Sequence, residues 1–162
     1  MHDPADELAI RQLAAEYIDA VNRYNGADWI ATWSDDATWF LMGMEVSGKE
    51  DIFNLWKGAM STFDFAIMML NSGTATDDGG SASGRWYVTE HINPKEGDTN
   101  LTLGVYDDKY IKKDGKWLFS ERRYHVMYQG PADYSAPHNP YPGLRREVVF
   151  RPPGAYLMRC MQ

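Results

Sequence analysis

Four long β-leaning runs separated by short turn signals fill the chain from Phe63 to Gln129, and nothing else limits its fold as strongly. The apolar run Phe63–Thr76 ends at Asp77-Asp78-Gly79-Gly80. Ser81–Ile92 follows and is stopped by Asn93-Pro94. Leu101–Lys112 and Trp117–Gln129 flank Lys113-Asp114-Gly115-Lys116, the composition of a tight hairpin turn. Such runs predict an antiparallel meander that must bury one face against something else.

The covering layer lies upstream. Leu8, Ile10, Leu13, Ala14, Tyr17, Ile18 and Val21 recur at helical steps and predict an amphipathic helix over Ala5–Tyr24. Asn25-Gly26 ends it in a way that permits a left-handed cap. A short helix is expected over Ala27–Trp33, a strand over Ala37–Met42, a bend from Gly43 to Gly48, and a helix over Lys49–Met60 carrying Ile52, Leu55 and Trp56. Helices first and a meander after them define an α+β fold, a single domain with helices on one face of a curved sheet. The domain is expected over residues 1–130. Residues 131–162, with Pro131, Pro137, Pro140, Pro142, Pro152 and Pro153, read as a tail covering the surface or a pocket mouth.

Composition narrows the partners. A net charge of −7 disfavours nucleic acid, and the basic pairs Lys112-Lys113, Arg122-Arg123 and Arg145-Arg146 are too scattered to form a stripe. Cys160 is the one cysteine, which leaves neither an internal disulfide nor a multi-cysteine zinc site. There is no Gly-x-Gly-x-x-Gly, no P-loop and no His-x-x-x-His or carboxylate cluster, so no metal or organic cofactor is expected. The start of the chain lacks a signal-peptide pattern and no apolar run is long enough to span a bilayer; a cytoplasmic protein without membrane contact is expected. Six Trp, ten Tyr, six Phe and nine Met suit either an aromatic-rich core or a pocket for flat apolar molecules.

Four local patterns carry a family resemblance. They are Tyr24-Asn25-Gly26-Ala27-Asp28-Trp29; Ser34-Asp35-Asp36-Ala37-Thr38-Trp39 with Ser47-Gly48-Lys49-Glu50-Asp51-Ile52; Gly80-Ser81-Ala82-Ser83-Gly84-Arg85-Trp86-Tyr87; and Lys112-Lys113-Asp114-Gly115-Lys116-Trp117-Leu118-Phe119. In order and spacing the chain resembles the nuclear-transport-factor-2-like superfamily, in its SnoaL-like and scytalone-dehydratase-like branch, over about Leu8 to Gln129. The resemblance implies a cone-shaped half-barrel around a deep apolar cavity. It also implies lyase or isomerase chemistry without a cofactor, run by an Asp at the first helix break and a His on the second long strand. The chain departs at both places: Asn25 replaces the Asp, and Ile67 is the nearest match to the His.

The remaining candidates follow from the resemblance and from strand parity. By the resemblance His91 matches a second, pocket-facing histidine of the dehydratases, and an imidazole is a residue type that can take or give a proton without extreme tuning; the alternative is a strand-end residue at the rim. An inward His91 takes Tyr87 and Thr89 with it and turns Glu90, Val88 and Trp86 outward, Glu90 into solvent. Tyr24 and Asn25 stand at the helix break, where a hydroxyl can donate to an oxyanion and an amide can orient a carbonyl, although Asn25-Gly26 is equally a plain cap. Tyr17 reads as core. Resemblance at the last hairpin points Leu118, Ser120, Arg122, Tyr124 and Val126 inward. Arg122 then needs an anionic partner, substrate or a carboxylate such as Asp107 or Asp108. Tyr106 is a second candidate hydroxyl, and Trp39, Leu41, Met44, Ile67 and Met69 are pocket wall or core.

These residues suit elimination, a double-bond shift or retro-aldol loss of an aldehyde from a bulky aromatic or polycyclic molecule. A lignin-derived diaryl compound is one such substrate, since diarylpropane lyases share the superfamily. The alternative is a hydrophobic-ligand-binding protein that kept the cavity and lost the chemistry; a partner-binding module is a weaker third reading. An outward apolar set of Trp86, Val88, Trp117 and Phe119 predicts a homodimer or homotrimer.

Overall fold

The computed structural model describes residues 3–77 and 81–139. Helix α1 (Pro4–Asn22) starts where Asp3 accepts a hydrogen bond from the Ala5 amide and Pro4 takes the first turn, a position that needs no amide donor. Its stripe buries Ile10, Leu13, Ala14, Tyr17, Ile18 and Val21. Leu8 falls off that stripe and is 68% exposed. The chain leaves α1 at Tyr24 (φ 55°), not at the Asn-Gly pair. The Asn25 amide bonds back to the Ala20 carbonyl and the Tyr24 amide to Val21, closing the last turn. A tyrosine in the left-handed region costs about 1 kcal/mol. Its hydroxyl offsets this by accepting a 2.6 Å bond from the Ala66 amide across the interface.

Asn25 caps the next helix, α2 (Gly26–Ala31), and β1 (Trp33–Leu41) follows. Met42 and Gly43 both take positive φ, as a two-residue hairpin turn requires, so the expected bend is instead a hairpin into β2 (Met44–Ser47). Helix α3 (Lys49–Ser61) buries Ile52 and Trp56. The meander then runs through β3 (Phe63–Asp77), β4 (Ser81–Pro94), β5 (Asn100–Lys113) and β6 (Lys116–Gly130), with Asp114-Gly115 as its last turn.

The six strands form one curved sheet in the order β2-β1-β6-β5-β4-β3. Pairing is antiparallel except between β1 and β6, which run parallel and join the β1–β2 hairpin to the meander. Four extra residues bend the meander: Asp64 and Asn71 in β3, Ser120 and Met127 in β6, each left over where two residues face one.

Those bulges decide which side chains face the helices. Ser120 resets the parity of β6, so Trp117 and Phe119 before it face inward together with Arg122, Tyr124 and Val126 after it. On β4 the even-numbered residues face inward. Trp86, Val88, Trp117 and Phe119 are therefore core, with exposures of 2%, 1%, 5% and 0%, and do not form the outward apolar face expected of them. Beyond Gly130, residues 131–139 fold back on the outer side of β6. There the Tyr128 hydroxyl donates to the Pro131 carbonyl and Tyr128 pairs with His138. The rest of the expected tail lies outside the described residues.

Candidate active site

A cavity of about 250 Å³ opens where α3 lies over the wide end of the curved sheet. Leu41 and Met42 from β1 and its turn, Trp56, Ala59 and Met60 from α3, and Phe63, Ala66 and Met68 from β3 make one wall. Glu90, Ile92 and Pro94 from β4, Asn100, Thr102 and Tyr106 from β5, and Tyr124, Val126 and Gln129 from β6 make the other; Tyr17, Val21 and Trp39 complete it. The surface is overwhelmingly apolar, and its one ionisable acid is Glu90.

Glu90 sits on the inward row of β4, directly opposite Met68 across the β3–β4 ladder. The Tyr124 hydroxyl donates a 2.7 Å hydrogen bond to Glu90 Oε2. No described residue donates to Oε1, and the accessible part of the side chain borders the cavity. Burial pushes the Glu90 carboxyl above its ordinary range, opposed by the Tyr124 bond and the charge of Arg122. A carboxylate raised in this way is a better base than one in water and sits closer to the protonation state a general acid needs. Burial also raises Tyr17 and Tyr106, which keeps both phenols neutral and able to donate.

The Tyr124 reach depends on a missing atom. Its ring stacks on Tyr106 at 4.5 Å between centroids and lies flat over Gly104 on the neighbouring strand. A Cβ at Gly104 would lie 2.3 Å from the Tyr124 hydroxyl. Only glycine lets the tyrosine cross β5 to meet Glu90.

Behind Tyr17 and Tyr106 lies a second, sealed polar group. Arg122 is 0% exposed; its Nε and Nη2 donate to Asp108 Oδ1 and Oδ2 at 3.0 and 3.1 Å. Tyr110 donates to the same carboxylate at 3.0 Å and receives a 2.6 Å bond from Trp86 Nε1. The guanidinium carbon lies 3.7, 4.1 and 4.2 Å from the centroids of Tyr106, Tyr17 and Phe119, so rings rather than water surround the cation. Burial pushes Asp108 up to about 6, against the Arg122 charge that favours its anion. Burial also opposes the Arg122 cation, but Asp108 and the tyrosines hold it above its usual value.

The sequence-derived candidates separate cleanly against this geometry. Trp39, Leu41, Ile67, Tyr106, Tyr124 and Val126 all line the cavity. His91 does not: it is exposed on the outer face, in a shallow hollow with Phe65, Asn93 and Leu101. Its partners in the parity argument, Tyr87 and Thr89, are on that face too, where Thr89 accepts a bond from Asn71. Glu90, assigned to solvent, is the residue that enters. Tyr24 spends its hydroxyl on the Ala66 amide, and Asn25 spends its amide on capping α2 through the Asp28 backbone and carboxylate. Arg122 points inward as expected but is enclosed by Asp108 and the rings, short of the cavity. Met44 and Met69 are 46% and 42% exposed and stand outside it. No described histidine lines the cavity, and the described residues hold no cluster of His, Cys, Asp and Glu that could grip a metal. No helix among them is long and apolar enough to cross a membrane.

Helices closing a bent, unclosed sheet over one apolar, carboxylate-bearing cavity define a cone-fold pocket protein. Residues 3–123 match the model of the SnoaL-like domain, and the chain belongs to that family. Among solved structures it is similar to LinA, at 25% identity over 85% of this chain and 95% of that one, with a TM-score of 0.74. The hexachlorocyclohexane dehydrochlorinase LinA type 2 is similar at 24% identity over 86% and 96%, TM-score 0.73. A putative scytalone dehydratase from Novosphingobium aromaticivorans shares 18% identity over 86% and 94%, TM-score 0.74. No curated protein matches the chain significantly.

Proposed function

We propose that the chain is a cofactor-independent lyase or isomerase that moves a proton on a bulky aromatic or polycyclic small molecule, with Glu90 as the acid–base group. The observation that carries this reading is the Glu90 carboxylate, raised by burial and aimed into an apolar cavity with one oxygen held by Tyr124. Removing water around a carboxylate strengthens it as a base, and fixing its orientation turns proton removal into a near-unimolecular step. Tyr106 and Tyr17 border the same cavity and can donate to an enolate or phenolate as charge develops. Elimination, a double-bond shift and retro-aldol loss of an aldehyde all begin or end with such a transfer. The dehydrochlorinase and putative dehydratase among the similar structures run or are named for eliminations in the same fold, which supports the reaction type. The substrate class rests on the aromatic walls alone.

Ring opening of 5-nitrobenzisoxazole tests the chemistry without the natural substrate. A base removes the ring C–H proton, the nitrile forms, and the N–O bond breaks to release a phenolate. Wild-type protein should accelerate this reaction well beyond acetate in water, and Glu90→Gln should lower the rate by about 10²-fold or more. Equal rates in the two proteins would leave the binding-protein reading in its place.

A further inference from the structure

Taking the cavity as the substrate site, as proposed above, we infer that it selects its ligand by charge. It takes an uncharged aromatic molecule carrying a hydroxyl or similar donor for Glu90 Oε1, and rejects the corresponding aromatic carboxylate. None of the residues bordering the cavity is Lys, Arg or His. Arg122 gives Nε and Nη2 to Asp108, and its remaining nitrogen, Nη1, is buried behind the Tyr17 and Tyr106 rings without bordering the cavity, so no fork reaches an anion bound there. Tyr124 has already committed its proton to Oε2.

A second carboxylate entering here would meet Glu90 in a medium of low polarity. Like charges repel strongly there, and no Lys, Arg or His borders the cavity to pair with the incoming anion, the Arg122 charge being shared between Asp108 and Glu90. A neutral hydroxyl has the opposite effect. It supplies Oε1 with the hydrogen bond that no described residue makes, in surroundings where a bond to a charged acceptor is strong. Trp39, Trp56, Phe63 and Met60 then cover the flat body of the ligand. A volume of about 250 Å³ suits one or two rings, just below the range of drug-sized pockets.

Three probes of one shape separate these effects: naphthalene, 2-naphthol and 2-naphthoate, titrated at neutral pH while the fluorescence of Trp39 and Trp56 in the wall is followed. Wild-type protein should bind 2-naphthol at least about tenfold tighter than naphthalene, and 2-naphthoate at least about tenfold more weakly. In Glu90→Gln the naphthol advantage should shrink to a few-fold and the naphthoate penalty should fall with it. Naphthoate binding as well as naphthalene in the wild type, no binding of any probe, or an unchanged ladder in Glu90→Gln would each overturn the inference. The expected ladder without any ring-opening activity would sustain charge selection while removing the proposed catalysis, so the two readings fail separately.

Discussion

Gly104→Ala places one methyl group where the Tyr124 ring now lies. Its Cβ would stand 2.2 Å from Cε2, 2.3 Å from the hydroxyl and 2.4 Å from Cζ of Tyr124. Ordinary contacts are about 3.5–4.0 Å, so the ring must retreat by more than an ångström and the 2.7 Å bond to Glu90 cannot survive. Overpacking costs about 1–3 kcal/mol, and a lost hydrogen bond to a charged acceptor costs about 1.5–3 kcal/mol. The two overlap, and a net loss of about 3 kcal/mol is expected. For a chain of this size that lowers the melting temperature by roughly 6–12 °C. The chemical consequence is separate. The Tyr124 bond is one of the forces holding the Glu90 carboxyl down, so its loss raises that group further. The alkaline-going rise of the ring-opening rate should therefore move to higher pH in Gly104→Ala. Tyr124→Phe should show the same displacement with a smaller loss of stability, about 2 kcal/mol, because it adds no atom. Thermal melts and pH–rate profiles of the two variants check both effects. A Gly104→Ala protein with an unshifted profile would refute the claim that this glycine sets the Glu90–Tyr124 pair.

Glu90→Gln should melt higher than the wild type at neutral pH. The folded-state pKa is raised, so ionisation works against folding as pH rises through and above the ordinary glutamate range. The gain should vanish at pH values below that range; a constant gap would contradict the linkage. Arg122→Met should cost about 3–5 kcal/mol by stranding Asp108 in the core, and Arg122→Met with Asp108→Leu should recover much of it, as judged by denaturant unfolding. Asn25→Ala should lose about 1 kcal/mol of stability through the α2 cap and keep its turnover, in a comparison of melts and rates.

The order of elements is readable in the helical spacing of α1 and α3 and in the turn chemistry between strands, Asp-Gly between β5 and β6 above all. The site was harder for a physical reason. In a strand, one residue of error turns every side chain to the other face, and single-residue bulges such as Ser120 leave little mark in composition. Resemblance to a pocket histidine anchors the inward face of β4 on His91 and so turns the strand the wrong way round. Its own pattern pointed the other way. Ala82, Trp86, Val88 and Ile92 make a mostly apolar row, while Ser81, Ser83, Arg85, Tyr87, Thr89, His91 and Asn93 make a mostly polar one with Tyr87 its one large ring. On that count Glu90 is an acid in the apolar row, which marks a buried carboxylate. Gly104, by contrast, has a meaning that appears only when Tyr124 is seen lying across it.

The most direct test of the account is the pH dependence of 5-nitrobenzisoxazole opening in wild type, Glu90→Gln and His91→Ala. The wild-type rate should rise through one ionisation displaced above the ordinary glutamate range, His91→Ala should reproduce that curve, and Glu90→Gln should be flat and about 10²-fold slower. A curve that survives in Glu90→Gln and is lost in His91→Ala would contradict it, returning the proton transfer to the histidine on the outer face.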